Sequence, residues 1–169
     1  MLAYCTYCSA EKYYSKKAIP AFELYKSDRI SKVIKSANAA DAKFIILSGK
    51  YGIIGPNEEL HYYDHLLLSS EIEVHSDLIA SQIKSKNITE IVFFMKSVEK
   101  DRNLQPYLDC ISKACAKSAI SLKISVVNFL DWRIKNGRKS FLSLNQNLSK
   151  KSFRLLSWET LVVTTHEYK

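Results

Sequence analysis

Phe44-Ile45-Ile46-Leu47-Ser48-Gly49-Lys50-Tyr51-Gly52-Ile53-Ile54-Gly55-Pro56 sets four consecutive apolar residues directly ahead of a glycine-rich loop. A short apolar run closed by turn residues reads as a buried strand. Helical stripes flank it. Ile30, Val33, Ile34 and Ala37 repeat at i, i+3, i+4, i+7 before it, with Ser27 or Asp28 as the cap. Ile72, His75, Ile79 and Ile83 repeat after it. Further out, Leu2 to Cys8, Ile91 to Met95 and Leu122 to Phe129 read as strands. Leu104, Leu108, Ile111 and Cys115 mark a third helix, with Pro106 tolerated in its first turn, and Phe141, Leu144 and Leu148 a fourth. Strands alternating with helices imply right-handed crossovers and a mainly parallel sheet covered on both faces. The fold class expected is therefore α/β, a three-layer sandwich, in one domain over residues 1–169.

Composition narrows the function classes. Apolar types make up 47% of the chain and charged types 25%, with four Gly and three Pro, which excludes collagen-like, low-complexity and wholly disordered chains. Apolar runs such as Ile91 to Met95 are far shorter than the roughly 20 residues of a membrane-spanning helix, so no membrane partner is expected. Residues 1–20 lack the charged-then-apolar order of a secretory signal, and a cytoplasmic location is expected.

The formal charge of +8 is unevenly placed. Arg133, Lys135, Arg138, Lys139, Lys150, Lys151 and Arg154 fall in a stretch with no acidic residue. Such a segment lowers the cost of approaching a polyanion, and nucleic acid is the partner expected; the alternative is a solvated helix face. Most of the 25 cations are Lys, which suits phosphate contact better than bidentate base reading.

Four cysteines, Cys5-x-x-Cys8 and Cys110-x4-Cys115, could be written as a thiol site. In a strand, residues three apart face opposite sides, and in a helix Cys110 and Cys115 sit about 140° apart, with Cys110 off the apolar stripe. Buried reduced thiols are expected, with no resident metal and no cofactor.

Two long connections interrupt the alternation, Ser9 to Lys26 and Gly49 to Ser70, each beginning where a strand ends. In an open α/β sheet the ligand crevice lies beyond the carboxyl ends of the strands, so a site belongs here. The first connection offers Ser9, Lys12, Tyr25 and Ser27 as donors to an anion. The second holds three of the four glycines, and Gly49 and Gly52 permit close approach of backbone N–H groups to a phosphate, carboxylate or base edge. It lacks the spacing and the Lys-Ser/Thr pair of a Walker loop. Downstream, Glu58-Glu59-Leu60-His61-Tyr62-Tyr63-Asp64-His65 crowds carboxylates, imidazoles and phenols together, the types that activate water and stack on a base. His61-x3-His65 lacks the intervening Glu of the helical zinc-protease motif. His75, on an apolar stripe, reads as a satisfied core histidine.

The segments Cys8 to Lys12, Glu23 to Ser27, Phe44 to Pro56 and Tyr62 to Leu67 together resemble a family of small, largely uncharacterised bacterial and phage proteins. That family is related to the peroxide-stress protein YaaA and to the catalytic domain of archaeosine synthase. The resemblance implies a sandwich of uracil-DNA-glycosylase-like character acting on, or binding, nucleic acid or modified bases. It covers residues 1–70 by motif, on Cys8, Ser9, Lys12, Tyr25, Ser27, Ser48, Lys50, Tyr51, Gly52, Pro56, Tyr63 and Asp64. Gly49 departs from the usual alanine, and Glu11 interrupts the lysine cluster.

The reading that follows is an enzyme directed at a nucleobase, cleaving or exchanging an N-glycosidic bond. Tyr51, Tyr63 or Tyr25 would clamp the base, Asp64 would steer water or stabilise the cationic sugar, and Lys50, Ser48 and the Gly49 to Gly55 backbone would hold the leaving base or a phosphate. The alternatives are a non-catalytic nucleic-acid-binding module and a small-nucleotide sensor.

Overall fold

The computed structural model describes residues 1–127. The helix marked by Phe141 to Leu148, the basic segment 133–154 and the last residues of the strand read as Leu122 to Phe129 lie outside the described residues.

The central strand is β1 (Leu2–Tyr7), parallel to β3 (Lys43–Ser48) on one side and to β6 (Glu90–Met95) on the other. Its residues pair with both neighbours, Ala3 with Lys43 and Ile91, Cys5 with Ile45 and Phe93. Position in the middle of the sheet explains the composition, because Phe44 to Ser48 are buried without interruption, as strands covered on both faces require. β7 (Ser121–Val126) extends the sheet beyond β6 in parallel, and β4 (Gly52–Ile54) closes the opposite edge antiparallel to β3. The order β4-β3-β1-β6-β7 makes a five-stranded, mostly parallel sheet.

Helix α2 (Asp28–Ala39) connects β1 to β3 and buries Ile30, Val33 and Ala37. Ser27 occupies its N-cap position with extended backbone and no side-chain cap bond. Helix α3 (Ile72–Ser85) precedes β6 and buries His75, Ile79 and Ile83. Helix α4 (Gln105–Lys117) precedes β7, has Pro106 in its first turn and packs against α3. Cys110 departs from the wheel reading. It is fully buried, its Sγ 3.9 Å from the Ile72 carbonyl, because α4 covers the sheet with one flank and α3 with the next.

The two long connections are also more ordered than their composition suggests. β4 makes a hairpin with β3, pairing Ser48 with Gly52. β2 (Ile19–Pro20) and β5 (Glu59–Leu60) pair antiparallel, and the short helix α1 (Ala21–Leu24) follows β2. The Ala21 and Phe22 N–H groups donate to the carbonyls of Glu58 and Pro56 at 2.9 and 3.0 Å. The loop after β1 and the loop after β3 are thus tied to one another beyond the carboxyl ends of the strands. Among the described residues no helix is long and apolar enough to cross a membrane.

Candidate functional site

The site grows from the end of β3. Ser48, the last residue of that strand, is fully buried, and its Oγ accepts the N–H groups of Lys50 and Tyr51 at 3.2 and 3.1 Å. This local turn bends the chain into the hairpin. Gln82 of α3 secures the far side, donating through Nε2 to the Tyr51 carbonyl at 2.9 Å and accepting the Ile53 N–H at 2.8 Å. Gly52 has φ +74° against that amide, and a Cβ there would collide with it. His75 donates its Nε2–H to the Ser48 carbonyl at 2.8 Å, which makes it a satisfied core histidine.

A chain of hydroxyls leads away from Ser48. Its Oγ lies 2.8 Å from the Tyr63 hydroxyl, which lies 2.5 Å from that of Tyr25. Lone-pair counting gives the chain a direction. A hydroxyl oxygen has two acceptor positions, and those of Ser48 are taken by two N–H groups. The Ser48 hydrogen therefore goes to Tyr63, the Tyr63 hydrogen to Tyr25, and the Tyr25 hydrogen is left for a further acceptor. Burial raises the pKa of both phenols above the ordinary value of about 10, further raised by proximity to Cys8, so they act as donors and not as phenolates.

Two cations stand over this chain. Lys12 Nζ is 4.7 Å and Lys50 Nζ 5.5 Å from the centre of the Tyr63 ring, and Lys50 is 5.2 Å from that of Tyr51, which meets Tyr63 edge-on. Among the described residues neither lysine is paired with a carboxylate. A cationic lip over neutral donors is an arrangement for an anion or for charge that develops on a leaving group.

Beneath it, the Cys8 Sγ lies 3.8 Å from the Tyr107 hydroxyl, which accepts the Leu67 N–H at 3.4 Å. Gly49 passes over this point, where a Cβ would approach the Tyr107 hydroxyl to 2.8 Å. Arg29, at the start of α2, is buried and ties the end of β1, donating to Thr6 Oγ1 at 2.7 Å and to the carbonyls of Tyr7 and Cys8 at 2.5 and 3.2 Å. Cys5, Cys8, Cys110 and Cys115 are all free and buried; burial pushes the thiols of Cys110 and Cys115 up to about 12.

The residues expected from sequence divide into three groups. Ser48, Lys50, Tyr51, Tyr63, Tyr25 and Lys12 converge. Gly49 and Gly52 shape the hairpin that carries them, and Ser9 holds the first loop by donating to the Lys26 carbonyl at 3.2 Å. Ser27 stays at the α2 cap, outside the hydroxyl chain. Asp64 is exposed beside buried Tyr63, and among the described residues it makes neither hydrogen bond nor ion pair. Arg29, Gln82 and Tyr107 escaped the sequence reading, because each acts on a partner at least 21 residues away with no local pattern to mark it.

The chain belongs to a family of unknown function, DUF6884, which it matches over residues 5–124. That span contains the end of β1, the two tied loops, β3, β4 and helices α2 to α4. No curated protein and no solved structure matches the chain.

Proposed function

We propose that this member of the family is a nucleobase-directed enzyme that cleaves or exchanges the N-glycosidic bond of a base, in nucleic acid or a nucleotide. The observation that carries the reading is the directed hydroxyl chain Ser48–Tyr63–Tyr25 beneath the ammonium groups of Lys12 and Lys50, neither of which meets a carboxylate among the described residues. When the bond between the sugar C1′ and the base breaks, its electron pair leaves with the base. Tyr25, the last donor of the chain, would hydrogen-bond a base heteroatom as it gains that charge, while Lys12 and Lys50 lower the energy of the departing anion or hold an adjacent phosphate. Water would add its hydroxide to C1′ and release its proton to the base or to solvent. Asp64, at the exposed rim beside Tyr63, would orient that water or stabilise the cationic sugar.

The fold reading goes with this. Thr6 of β1 meets Arg29 of α2, while the preceding strand position, Cys5, lies on the side of Cys115 of α4. With right-handed crossovers, α2 then covers one face and α3 with α4 the other, a three-layer arrangement with one reversal of strand order, as in uracil-DNA-glycosylase-like folds.

The test is base release from modified DNA, RNA and nucleotide pools, read by mass spectrometry and paired with thermal melts. Wild-type protein should release a base, Tyr25→Phe and Asp64→Asn should lose turnover, and Lys50→Ala should lose binding along with turnover. Asp64→Asn should leave the melting temperature unmoved, since Asp64 makes no bond among the described residues. No release from any pool would shift the reading to a binding module or a nucleotide sensor. Release undiminished in Tyr25→Phe would remove the hydroxyl chain from the chemistry.

A further inference from the structure

Next to Tyr25 the surface changes character. Tyr13 is 57% exposed, Tyr14 74%, Phe22 46% and Tyr62 43%. These rings are not scattered. Tyr13, Tyr14, Ile19, Phe22, Glu23 and Tyr25 line one open cleft of about 460 Å³. The Tyr14 ring meets that of Tyr62 edge-on at 5.4 Å, which joins the two tied loops into one aromatic face. Single exposed rings are ordinary, but a contiguous set marks an interaction surface.

The charge around the face selects its occupant. Residues 11–26 hold four lysines, Lys12, Lys16, Lys17 and Lys26, against two carboxylates, Glu11 and Glu23, of which Glu11 lies 3.9 Å from Lys26. Lys26 Nζ stands 4.1 Å over the Tyr13 ring. An apolar protein partner would have no use for this many ammonium groups among the rings. Unpaired nucleotides use both, bases on the rings and phosphates on the lysines. A duplex hides its base faces inside the stack and would leave the rings unused.

We infer that the face formed by Tyr13, Tyr14, Phe22 and Tyr62 is a stacking platform for single-stranded nucleic acid, leading a strand across the cleft to Tyr25. This deepens the nucleobase reading and rests on it for the role of Tyr25. Binding itself is measured without turnover, so the two stand or fall separately.

The experiment uses the full chain with labelled oligothymidylate, oligouridylate and a duplex, each about twelve nucleotides long, followed by anisotropy. A second set carries 2-aminopurine, whose fluorescence is quenched by stacking. Tyr14→Ala and Phe22→Ala change no charge, so any effect of lysines elsewhere in the chain is constant among the variants. Each should weaken single-strand binding about tenfold and relieve the quenching, whereas Tyr14→Phe should keep both. The DNA and RNA arms show which sugar the platform accepts. Exposed rings carry little of the fold, and melting temperatures should stay constant; if one alanine variant melts early, the other and the Tyr14→Phe comparison still decide. The inference is overturned if wild-type protein binds neither strand, if the alanine variants bind and quench as wild type does, or if duplex binds as tightly and through the same rings. It is also overturned if sedimentation shows a self-associated protein that Tyr14→Ala and Phe22→Ala dissociate, since the face would then be an interface between copies. Base release without ring-dependent binding would retain the enzymatic reading and discard the platform; ring-dependent binding without base release would do the reverse.

Discussion

Gly49 shows how closely single atoms are set in the site. A Cβ at this position would stand 2.8 Å from the Tyr107 hydroxyl, closer than carbon accepts, and 3.0 Å from the Leu67 nitrogen, a contact tight enough to push that backbone aside. Leu67 belongs to the loop carrying Tyr63, and Tyr107 touches Cys8 at the end of β1, so three segments meet over one hydrogen atom. Gly49→Ala, which installs the residue that the resemblance leads one to expect, should destabilise the protein by about 1–3 kcal/mol, the cost of overpacking a tight site. Tyr107→Phe removes the crowding oxygen, so the double variant should melt higher than Gly49→Ala alone. Thermal or urea unfolding of the four-member cycle checks this, and strictly additive losses would show that the two residues do not compete for the same space.

Between elements, the α3–α4 pair is fastened on its outer side by charges that titrate. Glu73 of α3 bonds Lys113 and Lys117 of α4, and Lys117 also reaches Asp77 at 2.5 Å. The hydrogen bonds from the two lysines hold the Glu73 carboxyl down to about 2. A depressed carboxyl pKa gives stability that is complete above the unfolded value of about 4.3 and is lost as pH falls toward 2. Wild-type protein should therefore melt above Glu73→Gln at pH 6, the gap closing between about pH 4.3 and 2; a gap independent of pH would assign the effect to packing. Helical stripes such as Ile72, His75, Ile79 and Ile83 were legible because a 3.6-residue period survives whatever the helix packs on. β2 and β5, two residues each, have no period to read, and β4 was hidden by the glycines that make its hairpin possible. The site was legible as far as its loops were. Ser48, Lys50, Tyr25, Tyr63 and Lys12 follow strand ends, where crevice residues belong, whereas Arg29 and Tyr107 enter from helices whose docking only the assembled sheet determines.

Across the whole chain, charge and rings are apportioned differently. Residues 128–169 carry eight basic against three acidic residues, so five of the +8 charges lie there, while the exposed aromatic face lies at residues 13–62. Phosphate contacts give affinity without regard to sequence or strandedness and are weakened by salt, whereas stacking needs unpaired bases and is little affected by it. The two contributions should thus separate. Changing Lys139, Lys150 and Lys151 together to Glu should weaken single strands and duplex alike and flatten the dependence of log affinity on log salt by at least about 2, since each lost phosphate contact removes roughly 0.7–0.9 of slope. In the complex that still forms, quenching of 2-aminopurine should persist, because the rings are untouched. Replacing Tyr14 with Ala should give the opposite result, the salt slope retained and the quenching lost. Titrations at several salt concentrations, on both variants and on both strand forms, read all four quantities. A slope that the triple charge reversal leaves unchanged would remove the segment from the footprint and leave Lys12, Lys16, Lys17, Lys26 and Lys50 as the source of the electrostatic attraction.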